Sequence, residues 1–194
     1  TTKAKASNYQ RGWPWLRQNP THTAQGKISE NQPTLPARIK AQDYHKAFDQ
    51  DPQNHGGACD RGDGVDMQTT NDNDGQCNIG WTLADETLSY QIYVEEDSRY
   101  DLILRLASEK QDRLMAVYVN GQALGTLEAP ANGWQNFADK SLANLQLKAG
   151  KHTPLIKCLD RASNLNYLEF VKSESPFALP ARIEEEEHNH YSDQ

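Results

Sequence analysis

The chain has 194 residues and a formal charge of −7, from 20 Lys and Arg against 27 Asp and Glu. Such an acidic chain lacks the positive field that a nucleic-acid duplex or an anionic membrane attracts, so neither partner is expected. No run of about 18 apolar residues is present, which excludes a membrane-spanning helix, and the 36% hydrophobic content fits one packed domain of about 130–150 residues carrying polar tails.

Residues 1–34 are polar and contain Pro14, Pro20 and Pro33; their one large apolar cluster is Trp13-Pro14-Trp15-Leu16. This stretch reads as a linker or the end of a preceding module, with docking of the two tryptophans on the main domain as the alternative. The chain opens at Thr1 without a signal peptide, so a mature piece, or a segment cut from something longer, is expected.

From Leu35 onward the pattern changes. Leu88, Tyr90, Ile92 and Val94 alternate with polar residues, and so do Tyr100, Leu102, Leu104 and Leu106, then Met115, Val117 and Val119. Period-2 alternation of β-branched and aromatic residues predicts half-buried strands. Asn120-Gly121 follows the third run and predicts a two-residue hairpin, because both residues tolerate positive φ. Further strands are predicted over 153–159 and 165–171, with a turn at Ala149-Gly150-Lys151 before the first. No stretch has sustained helical periodicity. The fold class is therefore all-β, an antiparallel sandwich.

The tail repeats the start of this region. Leu35-Pro-Ala-Arg-Ile39 recurs as Leu179-Pro-Ala-Arg-Ile183, and Asp49-Gln50 recurs as Asp193-Gln194 at the same offset. The expected organisation is a linker or preceding module over 1–34, the domain over 35–173, and a linker with the truncated start of a second copy over 174–194.

Cys59 and Cys77 lie in polar, loop-like sequence and can bridge or remain apart, whereas Cys158 sits in an apolar run and reads as a buried thiol. No CxxC or HxxxH spacing suggests zinc. A bridge would place the protein in an oxidising compartment. Catalytic signatures are missing: there is no GxSxG, HExxH or phosphate loop, and no spacing singles out a carboxylate pair. Arg61-Gly62-Asp63 matches the integrin tripeptide, but its flanks look structural. Asp72-Asn73-Asp74-Gly75 resembles the start of a calcium loop, lacks the downstream bidentate Glu, and reads as a turn held by Asx hydrogen bonds.

Aromatics and amides in loops carry more information. Trp81 follows Gly80, Trp134 follows Asn132-Gly133, and Asn164 opens the last predicted strand. Tryptophans in Gly/Asn-rich loops suit a sugar, whose C–H face stacks on an indole while its hydroxyls take amides at the rim. The alternative is that both rings are core.

Four segments together resemble carbohydrate-binding module family 6: Ala37-Arg-Ile-Lys-Ala-Gln-Asp-Tyr44, Asp74-Gly-Gln-Cys-Asn-Ile-Gly-Trp81 with Leu88-Ser-Tyr90, Asn132-Gly-Trp-Gln135, and Asn164-Leu-Asn-Tyr-Leu-Glu-Phe170. The resemblance implies a jelly-roll β-sandwich, non-catalytic and usually appended to a secreted glycoside hydrolase. It puts Trp81 and Trp134 as the rings enclosing a terminal sugar, Asn164 at the cleft floor, and Gln68 where the family often has Glu. It also implies a structural calcium at Gln42, the region of Arg61, and Asn166, with Lys40 and Gln42 replacing two usual carboxylates; that site is expected to be weak or empty. The truncated second copy carries Glu184 and Glu186 at the matching positions. The segment 49–66, with Asn54-His-Gly-Gly57 and Gly64-Val-Asp66, is similar to modules on agar-degrading enzymes. The implied partners are a polysaccharide, best read as agarose or a related galactan with xylan and β-glucan open, and a catalytic domain and second module of the same parent chain. Two readings of other classes remain at this stage, a small jelly-roll lyase or glycosidase and an adhesion domain without a sugar cleft.

Overall fold

The computed structural model describes residues 32–51, 53–73 and 76–174. In chain order the strands are β1 (Ala37–Lys40), β2 (Lys46–Phe48), β3 (Met67–Thr69), β4 (Cys77–Ile79), β5 (Thr87–Ser89), β6 (Ile92–Val94), β7 (Ser98–Ser108), β8 (Leu114–Val119), β9 (Gln122–Glu128), β10 (Gly133–Leu147), β11 (Gly150–His152), β12 (Pro154–Cys158) and β13 (Asn164–Lys172). A single 3-10 turn, Ala41–Asp43, separates β1 from β2, and no α-helix occurs among the described residues.

Two antiparallel sheets form the sandwich. One has the order β10-β7-β13-β4-β3, with β1 sharing the β4 edge of β13; the other is β2-β5-β12-β8-β9. Strands β6 and β11 pair separately. The chain crosses between the sheets repeatedly after β7, so each supplies one inner face to a common core. Leu102, Leu104 and Leu106 of β7, Leu168 and Phe170 of β13, Met115 and Val117 of β8, and Ile156 of β12 are all wholly buried. The alternation seen in the sequence is this inner face. The all-β antiparallel sandwich expected from the sequence is the fold observed.

Local details differ from expectation. The run 88–94 forms β5 and β6, which pair in different sheets, although Leu88, Tyr90, Ile92 and Val94 all remain buried. Gly150 opens a strand, pairing with Val94, instead of a turn. Strand β10 has no counterpart in the sequence reading, and β9 has only the hairpin turn that leads into it. Both are edge strands, and β10 slips register between Leu142 and Leu145, where Asn144 takes a left-handed φ of 59°. Bulges break the period that reveals a strand, and shallow burial leaves these edges few apolar residues to show it. The Asn120-Gly121 hairpin is present, with φ of 52° and 81° and Val119 opposite Gln122.

Cys59 and Cys77 form a disulfide, and Cys158 is a free, buried thiol whose pKa burial pushes up to about 12. The Trp13–Trp15 cluster, Asp74 and Gly75, and the repeat at 179–183 with Glu184 and Glu186 lie outside the described residues.

Candidate functional site

One end of the sandwich gathers the C-terminal end of β4, the start of β10, the turn between β12 and β13, and the start of β13. These enclose a cleft of about 430 Å³ whose lining includes Gln68, Trp81, Trp134, Arg161 and Asn164. All four binding residues expected from the sequence, Gln68, Trp81, Trp134 and Asn164, therefore come together. The tryptophans are not core: Trp81 is 46% exposed and Trp134 38% exposed.

Each position has a local cause. Trp81 stands two residues beyond β4 with φ of 46°, a left-handed conformation that costs a non-glycine residue about a kcal/mol or more. The backbone on either side is tied down. Gly80 N–H donates to the Asp66 carbonyl at 3.0 Å, and Ala162 N–H donates to the Thr82 carbonyl at 2.8 Å. The Thr82 hydroxyl also donates to the Ser163 carbonyl at 3.0 Å and accepts Ser163 N–H at 2.9 Å. Trp134 is the second residue of β10, at a strand start where the sequence reading had a loop.

Asn164 owes its position to a bulge. Pairing of β13 with β7 runs Leu165 to Leu106 and then Tyr167 to Arg105, leaving Asn166 extra. The added residue breaks the alternation, so Leu165 is fully buried in the core while Asn164 lines the cleft. Bulges commonly re-aim side chains beside binding sites in this way. Asn164 Nδ2 donates to the Trp134 carbonyl at 2.6 Å. Its Oδ1 lies beside Gly80, where a Cβ would come within 3.1 Å of it and within 3.5 Å of Gln68 Nε2. A glycine there lets both amides reach the cleft.

Gln135 is a positioning residue that the binding-site reading did not single out. Its Oε1 accepts the Thr70 hydroxyl at 3.2 Å and Asn71 N–H at 3.1 Å, and its Nε2 donates to Oδ1 of the buried Asn78 at 3.0 Å. The residue after Trp134 is thus locked to β3 and β4.

Segment 49–66 does not line the cleft among its described residues; it braces β3, which carries Gln68. Asn54 Oδ1 accepts Met67 N–H at 2.9 Å and Gly57 N–H at 3.1 Å, and Nδ2 donates to the Ala58 carbonyl at 2.9 Å. A Cβ on Gly56 would fall 2.0 Å from the Met67 carbonyl oxygen, so only glycine passes. His55 Nε2 meets Asp51 Oδ2 at 3.2 Å, and His55 N–H donates to Asp66 Oδ1. The donor atoms of Asp51, His55 and Asp66 lie within 4.8 Å of one another, and their hydrogen bonds fold this loop onto β3. Arg61 and Asp63 clamp Tyr44. The guanidinium stacks 3.9 Å from the ring centroid and donates to the Gln42 and Tyr44 carbonyls at 2.9 and 2.8 Å, while the phenol donates to the Asp63 carboxylate at 2.7 Å. The tripeptide is structural.

No Asp or Glu is among the cleft's described lining residues. The buried Glu86 accepts Leu83 N–H at 2.8 Å and Gln50 N–H at 3.3 Å, and burial pushes its pKa up to about 7. It stabilises the turn beneath the cleft.

The model of the family described as carbohydrate binding module (family 6) matches residues 57–172. The chain belongs to this family. It is a carbohydrate-binding, non-catalytic module. Several solved structures of family 6 modules share its fold. The module of lichenase 5A from Cellvibrio mixtus, in complex with cellotriose, is 26% identical with a TM-score of 0.58, covering 72% of this chain and 98% of that one. The C-terminal module of the marine laminarinase LamC from Zobellia galactanivorans is 21% identical, TM-score 0.58, covering 70% and 98%. A β-1,3-glucan-binding module from Bacillus halodurans is 21% identical, TM-score 0.56, covering 72% and 98%. No curated protein sequence matches the chain.

The positions the family resemblance gives to calcium hold other partners in this module. Gln42 Oε1 accepts Cys77 N–H at 3.0 Å; Gln42 Nε2 and the Lys40 ammonium both donate to Gln76 Oε1 at 2.9 Å. The Arg61 guanidinium takes two backbone carbonyls, as above. Asn166 Nδ2 donates to Asp72 Oδ2 at 2.9 Å, and Asp72 is itself bound by Arg105 at 2.8 and 2.9 Å; these hydrogen bonds hold the Asp72 carboxyl down at about 2. Calcium needs six to eight oxygens, with carboxylates among them. Here two side-chain cations stand among amide and carbonyl oxygens, so this donor set does not fit the ion.

Proposed function

We propose that this module holds a secreted glycoside hydrolase, best read as an agarase, at the chain ends of agarose or a related galactan. The observation that carries the reading is the cleft: two half-exposed indoles and a buried asparagine at one end of the sandwich. Rings left in water at 46% and 38% exposure gain when a pyranose covers them, and Asn164 supplies an amide to read hydroxyls. The galactan reading rests on the likeness of segment 49–66 to modules on agar-degrading enzymes, a likeness of the scaffold that braces β3 and not of the cleft lining. The Cys59–Cys77 disulfide supports an extracellular setting, and the repeat at an offset of 144 residues supports a parent with tandem modules, where weak single sites gain by avidity. In place of calcium, Lys40 ties β1 to Gln76 ahead of β4, and Arg61 holds the Gln42 and Tyr44 carbonyls that follow β1.

A β-glucan is the second reading, favoured by the lichenase module at 26% identity, which was solved with cellotriose. A glycan array spanning neoagaro-, xylo-, cello- and laminari-oligosaccharides tests both readings. Retention on agarose with no release of reducing ends supports the first, and retention only on glucans replaces it with the second.

A further inference from the structure

The cleft carries a charge that stacking on a neutral sugar does not use. Arg161, in the turn between β12 and β13, is exposed and lines the cleft beside Trp81, Trp134 and Asn164. Its backbone is fixed from the next residue, since Ala162 N–H donates to the Thr82 carbonyl at 2.8 Å and the Ser108 hydroxyl donates to the Ala162 carbonyl at 2.9 Å. Four other arginines have partners: Arg38 pairs with Glu169 at 2.9 Å, Arg105 with Asp72 at 2.8 Å, Arg99 bonds Gln146 at 3.3 Å, and Arg61 bonds backbone carbonyls. No carboxylate among the described residues comes within ion-pair distance of Arg161. The chain as a whole is acidic, with 27 Asp and Glu, yet none is among the cleft's described lining residues.

We propose that the cleft selects sugars carrying an anionic group, a sulfate ester or a uronate carboxylate, with Arg161 as its recognition residue. The inference rests on the sugar-binding reading of the same cleft and, within that reading, favours a charged galactan over neutral agarose. A sugar seated between the indoles strips water from the guanidinium. A neutral sugar returns only hydroxyl hydrogen bonds, so part of that loss stays uncompensated. An anion returns a charge-assisted, potentially bidentate pair, the contact for which a guanidinium fork is shaped. It also meets no repulsion from the lining, where the other described polar groups, Gln68, Thr82 and Asn164, are neutral.

The test is calorimetric titration with two matched pairs of galacto-oligosaccharides. One pair differs by a sulfate ester on the terminal sugar, the other by a terminal hexuronate in place of hexose. The expected result is that the anionic member of at least one pair binds about tenfold tighter than its neutral partner at low salt. That ratio should shrink at 0.5 M NaCl, collapse towards one in Arg161→Ala, and partly survive in Arg161→Lys. Lys148→Ala, one residue beyond the far end of β10, should leave the ratio as it was. Preference in one pair only identifies the group as sulfate or carboxylate. A ratio near one in both pairs for the unaltered module, or one that Arg161→Ala leaves intact, overturns the proposal while sugar binding stands. If no member binds, or if binding survives both Trp81→Ala and Trp134→Ala, the sugar-cleft reading falls and the proposal with it.

Discussion

Asn164 Nδ2 lies 2.6 Å from the carbonyl oxygen of Trp134, so the floor of the cleft holds one of its walls. The residue that can read hydroxyls also fixes the backbone beneath an indole. A change at Asn164 therefore acts twice, on the hydrogen bond to sugar and on the pose of the ring.

Replacing the rings separates binding from stability. Trp81→Ala and Trp134→Ala should each weaken oligosaccharide binding at least about 30-fold, as truncating an aromatic anchor by about 2 kcal/mol or more does. Because the rings are 46% and 38% exposed, the melting temperature should move by only a few degrees. Titration and thermal melts on the same samples check this. A variant that unfolds, while its remaining folded fraction still binds normally, would put that ring in the core.

Gly80→Ala should impair binding through the amides alone. The new Cβ would stand 3.1 Å from Asn164 Oδ1 and 3.5 Å from Gln68 Nε2, so Asn164 must give way by a few tenths of an ångström. Affinity should fall about tenfold or more, with far-ultraviolet dichroism unchanged. Unaltered affinity would show that Asn164 Oδ1 does not face the ligand.

The sandwich was legible because its inner strands are buried on one face. Leu102, Leu104 and Leu106 alternate in the sequence and in the core. The cleft residues were legible as anomalies, tryptophans and an asparagine beside turn residues. What stayed hidden was hidden for physical reasons. Strands β9 and β10 are edges with broken register. Gln135 works through Thr70, Asn71 and Asn78, contacts 57 to 65 residues away in the chain that no local pattern announces. Asp72 sits in the turn between β3 and β4, as read, but its pairing with Arg105 of β7 is a long-range contact that the turn pattern does not show. Segment 49–66 looked like a substrate feature, yet Asn54 and Gly56 spend it on bracing β3.

Stability should fall as the solution becomes alkaline. Burial pushes the Glu86 carboxyl up from its usual 4.5 to about 7, with the charges of Asp49 and Asp66 adding to the effect; the Asp49 and Asp66 carboxyls are themselves raised, chiefly by burial, and the Cys158 thiol faces the same group. A raised acid keeps its proton longer in the folded state. Its contribution is whole below about 4.5 and is lost as pH rises through about 7, by on the order of a few kcal/mol. The melting temperature should therefore be higher at pH 5 than at pH 8, and Glu86→Gln should flatten most of that slope. A melting temperature that climbs from pH 5 to 8 would contradict the burial of this carboxyl.

Chelation should matter little. Lys40, Gln42, Arg61 and Asn166 are bound to protein groups and offer no calcium-like set of oxygens. Excess chelator should shift the melting temperature by no more than a few degrees, and added calcium should not raise it. A loss beyond about 10 °C, several kcal/mol for a domain of this size, would reveal a strong site elsewhere in the chain.

The proposed mode of binding is capture of chain ends, and it can be separated from capture along the chain. The cleft opens at one end of the sandwich, among the termini of β4, β10 and β13, and not along a sheet face. A loop-built slot at an end encloses few rings, whereas a flat platform lets affinity grow with each added ring. Asn164, buried at 2% exposure beneath the rings, can meet only a sugar that enters the slot. In end capture, the hydroxyls reached there are those free on a terminal residue and linked on an internal one. In titrations with an oligosaccharide series, affinity should level off after two or three sugars. Partial hydrolysis of the polymer should raise the number of sites per gram in proportion to new ends, at constant affinity per site. If affinity instead keeps rising to six sugars, and hydrolysis leaves the site count where it was, the polymer runs across the module and end capture is wrong, even though Trp81 and Trp134 would still hold it.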